Sequence, residues 1–353
     1  MTISVIQWAT GGVGQAAIEA IAAHPELELV GCWVHSEAKA GRDAGELAGI
    51  APLGVAATND VDGLLALKPD CIVYAPLMPD EALVCRMLAS GANVVTPIGW
   101  VYPPKSKTVA LRAACDAGQS SLHGTGIHPG GITERFPLMV SALTSRITHV
   151  RSEEFSDIRT YGAPDVLRDI MLFGHPPETS LQSPMVGFLG GGFRQSIQMI
   201  ADELGFAIDE RIEGTNEVAV ATAPIETPMG VIEPGLVAAQ RFTWTATVNG
   251  EPVITARVNW LMGEKDLDPA WSFGEAGERF EVAVSGDPDV LVTFKGYQPE
   301  TVEEGLVRNP GITSTAHHCV SAIPYVVAAE PGIQTYLDLP LIAGRAAPHL
   351  SRQ

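Results

Sequence analysis

The stretch "IQWATGGVGQAAIEA", residues 6–20, has the pattern of a strand, a glycine-rich turn and a helix. In the GxGxxG pattern of dinucleotide-binding turns, the first glycine permits the tight turn and the second lets the backbone approach the pyrophosphate. The third lets the helix pack closely on the strand. This sequence places Gly11 and Gly14 at the second and third positions and Ala9 at the first. Only the second and third positions strictly exclude a side chain, so Ala9 is a tolerable variant and the turn predicts a dinucleotide site.

The predicted phosphate contacts come from this turn. The backbone amides of residues 12–14 would open the helix and face an anion, which the helix dipole and the free N–H groups favour. The alternative is a tight turn with a purely structural role. The predicted cofactor contacts are the turn and the end of the later strand "CIVYAP": Ala9, Thr10, Gly11, Gly12, Val13, Gly14, Ala75 and Pro76.

The first 130 residues repeat one rhythm of a short β-rich run, a turn and an amphipathic helix pattern. The β-rich runs are "ISVIQW", "LELVGCWV", "CIVYAP" and "ANVVTP". Helix patterns such as "DEALVCRMLASG" and "SKTVALRAACDAG" lie between or after them and end at or near a glycine. Strands that alternate with crossover helices predict right-handed βαβ units and a doubly wound parallel sheet.

From about Ile147 the pattern changes to longer segments with the period of two that is typical of strands. The segment "QRFTWTATVNGEPVITARVNWLMG", residues 240–263, contains Asn249-Gly250, a strong hairpin signal. It therefore predicts an antiparallel sheet. Segments near 165–173 and 186–204 have helical patterns, although three consecutive glycines at 190–192 weaken the second prediction.

The predicted fold class is α/β. We expect an N-terminal Rossmann domain with a doubly wound parallel sheet over residues 1–146, and a C-terminal return of about 312–353 that packs on it. Residues 147–311 would form a second α+β domain, built on a mostly antiparallel sheet, for substrate binding and dimerisation. A chain of 353 residues fits two domains of unequal size.

Composition excludes several function classes. The chain has 22 Lys and Arg against 41 Asp and Glu, a formal net charge of −19, so it would repel nucleic acids and anionic membranes. It contains no run of about 18 apolar residues that would span a bilayer. The five cysteines are scattered without a CxxC spacing, as in a reducing compartment. We therefore expect a cytoplasmic protein whose substrate is a small molecule.

Cofactor preference is read at the end of the second strand, where an acidic residue would bond the ribose 2′-hydroxyl of NAD. Here "WVHSEAKAGRD", residues 33–43, places His35 and Ser36 there, followed by Lys39 and Arg42. A serine hydroxyl and two cations can bind the 2′-phosphate of NADP. The segment predicts NADP, but Glu37 keeps NAD possible, and a solvated loop of mixed charge is the alternative.

Five motifs together resemble one known family. They are "GGVG" at 11–14, "HSEAKAGRDAGELAG" at 35–49, "VVTPIGWVYPP" at 94–104, "GTGIHPGG" at 124–131 and "AIPYVVAAEPGIQTYLDLPL" at 322–341. In order and spacing they are similar to the dihydrodipicolinate-reductase-like group, which includes 2,4-diaminopentanoate dehydrogenase and the native amine dehydrogenases. The resemblance implies an NAD(P)-dependent oxidoreductase acting on a C=O or C=N group. It also implies a Rossmann domain, a substrate-carrying second domain and, commonly, a homodimer.

One departure from that family bears on the reaction. Its amine-forming members carry a glutamate, a few residues before a Tyr-Pro, that holds ammonia or the substrate ammonium. In this chain Tyr102-Pro103 is present, but no carboxylate lies between Val94 and Lys105. A neutral loop cannot stabilise an ammonium by charge. Reductive amination with free ammonia is therefore in doubt.

Hydride transfer requires a donor near the accepting oxygen or nitrogen, because negative charge develops there. His128, on a loop at the carboxyl end of the sheet, and Tyr161, in the segment where family members carry a pocket tyrosine, are the candidate catalytic residues. The candidate substrate contacts are Ile98, Trp100, His128, Tyr161 and His175. The alternatives are a structural loop histidine for His128, a strand-end tyrosine for Tyr161, a surface loop for His175 and a core aromatic for Trp100.

Other constellations predict no chemistry. The adjacent His317 and His318 point to different sides of a helix, and His123 and His128 lack a zinc spacing, so no metal is predicted. A Tyr-x-x-x-Lys pair, a GxSxG motif and a P-loop lysine are missing. Glu153 and Glu154 read as a strand with its solvent face, unless one of them replaces the missing loop carboxylate.

These observations predict an NADP-preferring oxidoreductase that transfers hydride to a neutral carbonyl or a preformed imine of a small, largely apolar substrate. Two alternatives remain. The first is an amine dehydrogenase that uses a carboxylate from elsewhere in the chain. The second is a catalytically inactive NADP-binding sensor or interaction protein.

Overall fold

The computed structural model describes residues 2–347 and residue 350. These residues form two compact units. The first unit comprises the chain up to Gly130 together with the chain from Ile312 onward, and the second comprises Gly131–Gly311.

The first boundary differs from the predicted one after residue 146. Residues 131–146 belong to the second unit because the π-helical turn Gly131–Arg135 and the helix Phe136–Ser141 pack on the strands of that unit. The first strand of the second unit begins only at Ser145, so the change of strand pattern along the sequence gives no local signal for the earlier boundary.

The strands of the described residues are listed here in chain order: β1 (Ile3–Trp8), β2 (Leu27–Trp33), β3 (Ala57–Thr58), β4 (Cys71–Tyr74), β5 (Asn93–Thr96), β6 (Ser121–Gly124), β7 (Ser145–Asp157), β8 (Glu213–Ala221), β9 (Ile225–Thr227), β10 (Gly230–Ile232), β11 (Val237–Val248), β12 (Glu251–Leu261), β13 (Leu267–Asp268), β14 (Arg279–Asp287), β15 (Val290–Phe294) and β16 (Gly332–Gln334).

The α-helices follow in the same order: α1 (Gly12–Ala23), α2 (Ala44–Leu47), α3 (Val61–Ala66), α4 (Glu81–Ala89), α5 (Val109–Gly118), α6 (Phe136–Ser141), α7 (Pro177–Leu181), α8 (Met185–Leu204), α9 (Val302–Val307) and α10 (Pro310–Val327). Shorter helical turns are of the 3₁₀ type at Glu37–Lys39, Lys105–Lys107 and Ile158–Thr160, and of the π type at Gly131–Arg135 and Val166–Ile170.

The first unit contains a parallel sheet in the order β16-β6-β5-β4-β1-β2-β3. The order reverses between β1 and β4, and the crevice outside the carboxyl ends of the strands at such a point is where doubly wound folds bind ligands. The predicted Rossmann architecture is therefore confirmed. The returning chain contributes α10 and then β16, which pairs in parallel with β6.

Both faces of this sheet are covered, which explains the near-continuous apolar runs of its strands. One core joins alternate strand residues to α1 and α10, and the other joins the remaining strand residues to α4 and α5. The helix residues that carry these two cores are Ala17, Ile18, Ile21, Ala316, Cys319 and Ile323 on one face, and Val84, Met87, Leu88, Leu111 and Cys115 on the other.

The second unit contains a sheet in the order β13-β8-β11-β12-β7-β14-β15. Every pairing in this sheet is antiparallel except that of β12 with β7. The hairpin between β11 and β12 turns at Asn249 and Gly250, with φ of +52° and +82°, as the Asn-Gly signal predicts. The predicted mostly antiparallel sheet is confirmed.

Helix α8 covers one face of this second sheet. Its Phe193 stacks on Trp244 of β11, with ring centroids 4.4 Å apart. Gly190 lies one turn earlier, where a Cβ would come within 2.6 Å of the indole nitrogen of Trp244. The glycines that weaken the helix prediction therefore permit close packing. The other predicted helix, near 165–173, is only the π-helical turn Val166–Ile170.

Within the described residues, no helix has both the length and the apolar character needed to cross a membrane.

We expect Phe193→Ala to lower the free energy of unfolding of the second unit by about 3–5 kcal/mol, because it opens a cavity against Trp244. Phe193 is 2% exposed, whereas Phe188 of the same helix is 49% exposed. Phe188→Ala is the matched control and should cost less than about 1 kcal/mol. Urea unfolding monitored by tryptophan fluorescence measures both, and equal losses would contradict the packing described here.

Candidate functional site

The turn after β1 has the backbone of a dinucleotide loop. Ala9 adopts a φ of +73°, in the left-handed region that glycine favours. A side chain there costs roughly 1–2 kcal/mol, so alanine is tolerated at the first position but strained. Gly11 then caps α1 in an extended conformation, and the helix begins at Gly12.

Gly14 and Gly11 lack side chains for different reasons. A Cβ on Gly14 would lie 2.1 Å from the carbonyl oxygen of Ala9, so the protein itself excludes it. A Cβ on Gly11 would meet no protein atom within 4 Å. The turn thus uses Gly14 to bring α1 against β1, while the space beside Gly11 lies open at the start of the helix.

The start of α1 favours an anion. Gly11 provides no side-chain cap, and the first turn of the helix contains no acidic residue. The N–H groups of Gly12, Val13 and Gly14 have no intrahelical acceptors, as in every first helical turn. Such groups, with the helix dipole behind them, bind phosphate.

Gln7 supports the turn from below and is not evident from the sequence pattern. Its side chain is fully buried, and its amide nitrogen donates to the carbonyl oxygens of Trp8 at 3.1 Å and Ala9 at 3.0 Å. The sequence signal that could have indicated this role is a side-chain amide within a strand of mostly apolar residues, because a buried amide needs hydrogen-bond partners.

The loop after β2 brings Lys39 to the turn. Its Nζ donates to the carbonyl oxygen and to the hydroxyl of Thr10, each at 3.2 Å. Glu37, which kept NAD possible in the sequence analysis, accepts a hydrogen bond from Asn59 Nδ2 at 2.8 Å. His35, Ser36 and Arg42 are exposed. The loop therefore places the Lys39 ammonium beside the turn, while its Glu37 carboxylate is hydrogen-bonded to the Asn59 side chain.

The other strand ends of the first unit add to the same edge of the sheet. Ala75 follows β4, and its N–H donates to the carbonyl oxygen of Trp8 at 3.1 Å, so Ala75 and Pro76 lie next to the turn. The predicted cofactor contacts after β1 and after β4 are thus neighbours at the same edge of the sheet.

The loops after β5 and β6 pack against each other. A Cβ on Gly124, at the end of β6, would lie 2.2 Å from the carbonyl oxygen of Gly99. Trp100 has a φ of +54° and packs with Ile98 on the core beneath. His128 lies half-buried on the β6 loop. The structure therefore brings the Trp100 and His128 loops together within the first unit.

A hydrogen-bonded cluster follows β6 and was not predicted. The hydroxyl of Thr125 lies 2.7 Å from His318 Nδ1 and 2.6 Å from the Tyr336 hydroxyl. The same hydroxyl of Tyr336 lies 3.3 Å from His318 Nδ1. These residues are separated by up to 211 positions in the sequence, so only folding joins them. The cluster links α10 and the returning chain to the carboxyl end of β6.

The remaining predicted substrate residues lie in the second unit. Tyr161 follows the 3₁₀ turn after β7 and packs on the core of that unit, and burial raises the pKa of its hydroxyl. His175 is half-buried, and its carbonyl oxygen accepts from the N–H of Val237 at 2.9 Å. The loop of His175 is thus anchored to β11.

The reading of Glu153 and Glu154 as a strand with its solvent face is wrong. Glu153 is 4% exposed and pairs with the guanidinium groups of Arg151 and Arg257. Glu154 is half-buried on the opposite face, where Trp260 and Ser156 donate to it. The prediction that Glu153 and Glu154 lie in a strand was correct. The cross-strand neighbours that bury Glu153 and partly bury Glu154 are not visible in the local sequence.

Within the part of the chain that the structure describes, no three His, Cys, Asp or Glu side chains are grouped to hold a metal ion. His317 is exposed, while His318 faces Thr125.

Comparisons with known proteins match both units. Residues 3–74 match the family model of the dihydrodipicolinate reductase N-terminus, and residues 134–349 match that of the 2,4-diaminopentanoate dehydrogenase C-terminal domain. An amine dehydrogenase of Streptomyces virginiae is 36% identical over 96% of each chain. A 2,4-diaminopentanoate dehydrogenase of Acetoanaerobium sticklandii is 27% identical over 65% of this chain and 60% of its own.

A solved structure agrees with these matches. The amine dehydrogenase of Mycobacterium smegmatis superposes with a TM-score of 0.79 and covers 98% of each chain, at 21% sequence identity, and so has the same fold. The matches to the two family models and to the Streptomyces virginiae protein, together with the glycine-rich turn on a doubly wound sheet, define an NAD(P)-dependent oxidoreductase of the dehydrogenase and reductase class. The chain belongs to the family of the amine dehydrogenases and 2,4-diaminopentanoate dehydrogenase, within the dihydrodipicolinate-reductase-like group.

We expect Gly14→Ala to destabilise the first unit by about 1–3 kcal/mol, since the added Cβ overlaps the Ala9 carbonyl and something must shift. Gly11→Val is the matched control. Its side chain enters open space on an extended backbone, so stability should change by less than about 0.5 kcal/mol. Thermal unfolding without cofactor measures both. A loss at Gly11 as large as that at Gly14 would show that the two glycines serve the same structural purpose.

Proposed function

We propose that this protein transfers hydride from NADPH, in preference to NADH, to the C=O or C=N group of a small, largely apolar substrate. The observation that carries the proposal is the open space beside Gly11, at a helix start whose N–H groups have no side-chain cap. A pyrophosphate would occupy that space with its charge against the helix N-terminus.

The preference for NADPH rests on Lys39. Its ammonium lies at the turn, bonded only to neutral oxygens of Thr10, and no carboxylate pairs with it among the described residues. A cation in this state can pair with the 2′-phosphate of NADP. Ser36 and Arg42 are exposed on the same loop and would add to this contact, with His35 beside them.

The substrate would meet apolar and aromatic surfaces together with a proton donor. Ile98 and Trp100 offer the apolar surface on the first unit. We assign the donor role to His128 or Tyr161, with His175 as a further substrate contact. Burial keeps the Tyr161 hydroxyl protonated at neutral pH, because it raises a pKa that is already high. A protonated hydroxyl is the form that can donate to a developing oxyanion.

A second candidate function is reductive amination. The relative from Streptomyces virginiae that covers almost the whole chain is an amine dehydrogenase, which favours it. The loop after β5 lacks a carboxylate between Val94 and Lys105, which disfavours free ammonia as a co-substrate unless another carboxylate acts. A protein that binds NADPH without turnover is the remaining alternative.

We further propose that the protein is a homodimer in the cytoplasm. The family resemblance implies the dimer, and sedimentation or light scattering would test it. The cytoplasm is supported by the cysteines, which are all free, with four of the five buried in the cores.

We expect Lys39→Met to weaken NADPH binding about tenfold or more and to leave NADH binding nearly unchanged, because it removes a charge-assisted contact to the 2′-phosphate. Lys68→Met is the control, since Lys68 precedes β4 and so lies at the opposite edge of the sheet. Fluorescence titration with both cofactors gives the two affinities. An equal change for NADPH and NADH would contradict the assignment of Lys39.

The reaction itself is tested by NADPH consumption with a panel of ketones and aldehydes, with and without ammonium. We expect consumption without ammonium, because no loop carboxylate is present to hold ammonia. Consumption that requires ammonium would instead support the amine dehydrogenase. Binding of NADPH without any consumption across the panel would support the inactive protein, and absence of binding would contradict the proposed function as a whole.

A further inference from the structure

The cluster of Thr125, His318 and Tyr336 is not used by the function proposed above. Thr125 directly follows β6, and its N–H donates to the carbonyl oxygen of Thr96, the last residue of β5, at 2.8 Å. Tyr336 lies two residues beyond β16, which pairs with β6. His318 reaches the same place from α10. The cluster therefore lies at the carboxyl edge of the parallel sheet, within the first unit.

Thr125 is the centre of this cluster. Its side chain is fully buried, whereas His318 and Tyr336 are half-buried. The Thr125 hydroxyl lies 2.7 Å from His318 Nδ1 and 2.6 Å from the Tyr336 hydroxyl. A hydroxyl group carries one proton. Thr125 can therefore donate to only one of these two neighbours and must accept from the other.

Two arrangements of protons satisfy Thr125. In the first, Tyr336 donates to Thr125 and Thr125 donates to His318 Nδ1, so the phenol oxygen can accept a hydrogen bond from a ligand. In the second, His318 Nδ1–H donates to Thr125 and Thr125 donates to Tyr336, so the phenol O–H can donate to a ligand. Tyr336 can thus accept or donate without movement of a heavy atom. This property suits a ligand group that also does both.

The direction of the cofactor along the edge of the sheet follows from its proposed contacts. A dinucleotide binds across the point between β1 and β4 where the strand order reverses. The phosphate turn follows β1, and Lys39, which we assign to the 2′-phosphate, follows β2. The adenosine half then lies toward β2 and β3, and the nicotinamide half lies toward β4, β5 and β6. Thr125, at the end of β6, is on the nicotinamide side.

The loop after β5 offers few polar side chains to that half of the cofactor. Residues 97–101 include one side chain with a hydrogen-bonding group, the indole of Trp100. The hydroxyl of Thr96 already accepts from the N–H of Ile98 at 3.2 Å. His123 is fully buried within β6. Polar groups of a bound ligand need partners once water is displaced. The half-buried Tyr336 hydroxyl can supply one.

We propose that Tyr336, held by Thr125 and His318, hydrogen-bonds the nicotinamide half of NADP(H) through the carboxamide or a ribose hydroxyl. Both of these groups donate and accept hydrogen bonds. Tyr336 is the residue that contacts the cofactor, and Thr125 and His318 are positioning residues. The bond would orient the nicotinamide ring and so the hydride that leaves it. The inference rests on the proposed function, which it deepens by giving the second half of the cofactor a polar partner.

The test uses the full chain and two probes, NADP⁺ and 2′,5′-ADP, which has the 2′-phosphate but no nicotinamide. We expect Tyr336→Phe to weaken NADP⁺ binding roughly three- to tenfold and to leave 2′,5′-ADP binding unchanged, because one hydrogen bond to the nicotinamide half is lost. Isothermal titration measures both affinities. Tyr325→Phe is the matched control. It removes a hydroxyl of α10 that accepts from the N–H of Ala343, and it should change neither affinity.

A Tyr336→Phe protein with unchanged NADP⁺ affinity, or with equal losses for NADP⁺ and 2′,5′-ADP, overturns the proposal. A third probe, 2′-phospho-ADP-ribose, keeps the second ribose but lacks the nicotinamide ring. If Tyr336→Phe also weakens its binding, the contact is to a ribose hydroxyl. If its binding is unchanged while that of NADP⁺ is weakened, the contact is to the carboxamide.

The positioning role of Thr125 is tested by a pair of variants, which also serves if Tyr336→Phe does not fold. Thr125→Val keeps the shape of the side chain but removes its hydroxyl, so it should weaken NADP⁺ binding and leave 2′,5′-ADP binding unchanged. Thr125→Ser keeps the hydroxyl and should bind NADP⁺ as the wild-type protein does. Equal NADP⁺ affinities of the two variants overturn the role of the cluster.

Failure of this inference can be told apart from failure of the proposed function. Binding of 2′,5′-ADP to the wild-type protein depends on the turn and Lys39 and does not involve the cluster. If the wild-type protein binds NADPH and reduces a carbonyl compound while Tyr336→Phe binds NADP⁺ normally, only the role of the cluster is wrong. If the wild-type protein binds neither 2′,5′-ADP nor NADP⁺, the proposed function is wrong, and this inference with it.

Discussion

The close approach of Gly14 to the carbonyl oxygen of Ala9 is the contact on which the first unit depends. No side chain fits between them, since a Cβ would lie 2.1 Å from that oxygen. Because α1 lies this close to β1, its first N–H groups point out at the carboxyl edge of the sheet. Ala9 accepts a left-handed backbone to permit this, and Gln7 ties the turn from below. The strain is local, and the electrostatic benefit is a helix start that faces an anion.

In the second unit, the decisive constraint is the period of two along β7. Charged residues at odd positions meet their partners across the strands, and a buried ion-pair network forms on that face. The even positions share their face with the core under α8, and Glu154 is the acidic residue of β7 there. The same alternation that gives Glu153 its guanidinium partners therefore places Glu154 on the face opposite to those arginines. Burial raises the pKa of the Glu154 carboxyl group to about 7, and no Arg or Lys of the described residues pairs with it to offset that effect.

The candidate cofactor and substrate residues are distributed over both units. The turn, Lys39, Trp100 and His128 belong to the first unit, as does the cluster of Thr125 with His318. Tyr161, His175 and Glu154 belong to the second. The cofactor contacts could be listed from residues 9–76, because βαβ units are local in sequence. The substrate contacts could be named only as candidates, because loops from distant strands contribute to them.

The sequence by itself determined the fold class, the glycine-rich turn, the hairpin at Asn249-Gly250 and the family. Each of these is encoded by periodicity, by turn residues or by motifs within a few positions of one another. Only the tertiary structure decided that residues 131–146 join the second unit and that Lys39 reaches Thr10. It also decided that Glu154 is half-buried and that no Arg or Lys of the described residues pairs with it. These features depend on which strands are neighbours and in which register, and pairing between distant segments leaves no trace in the local pattern of a single chain.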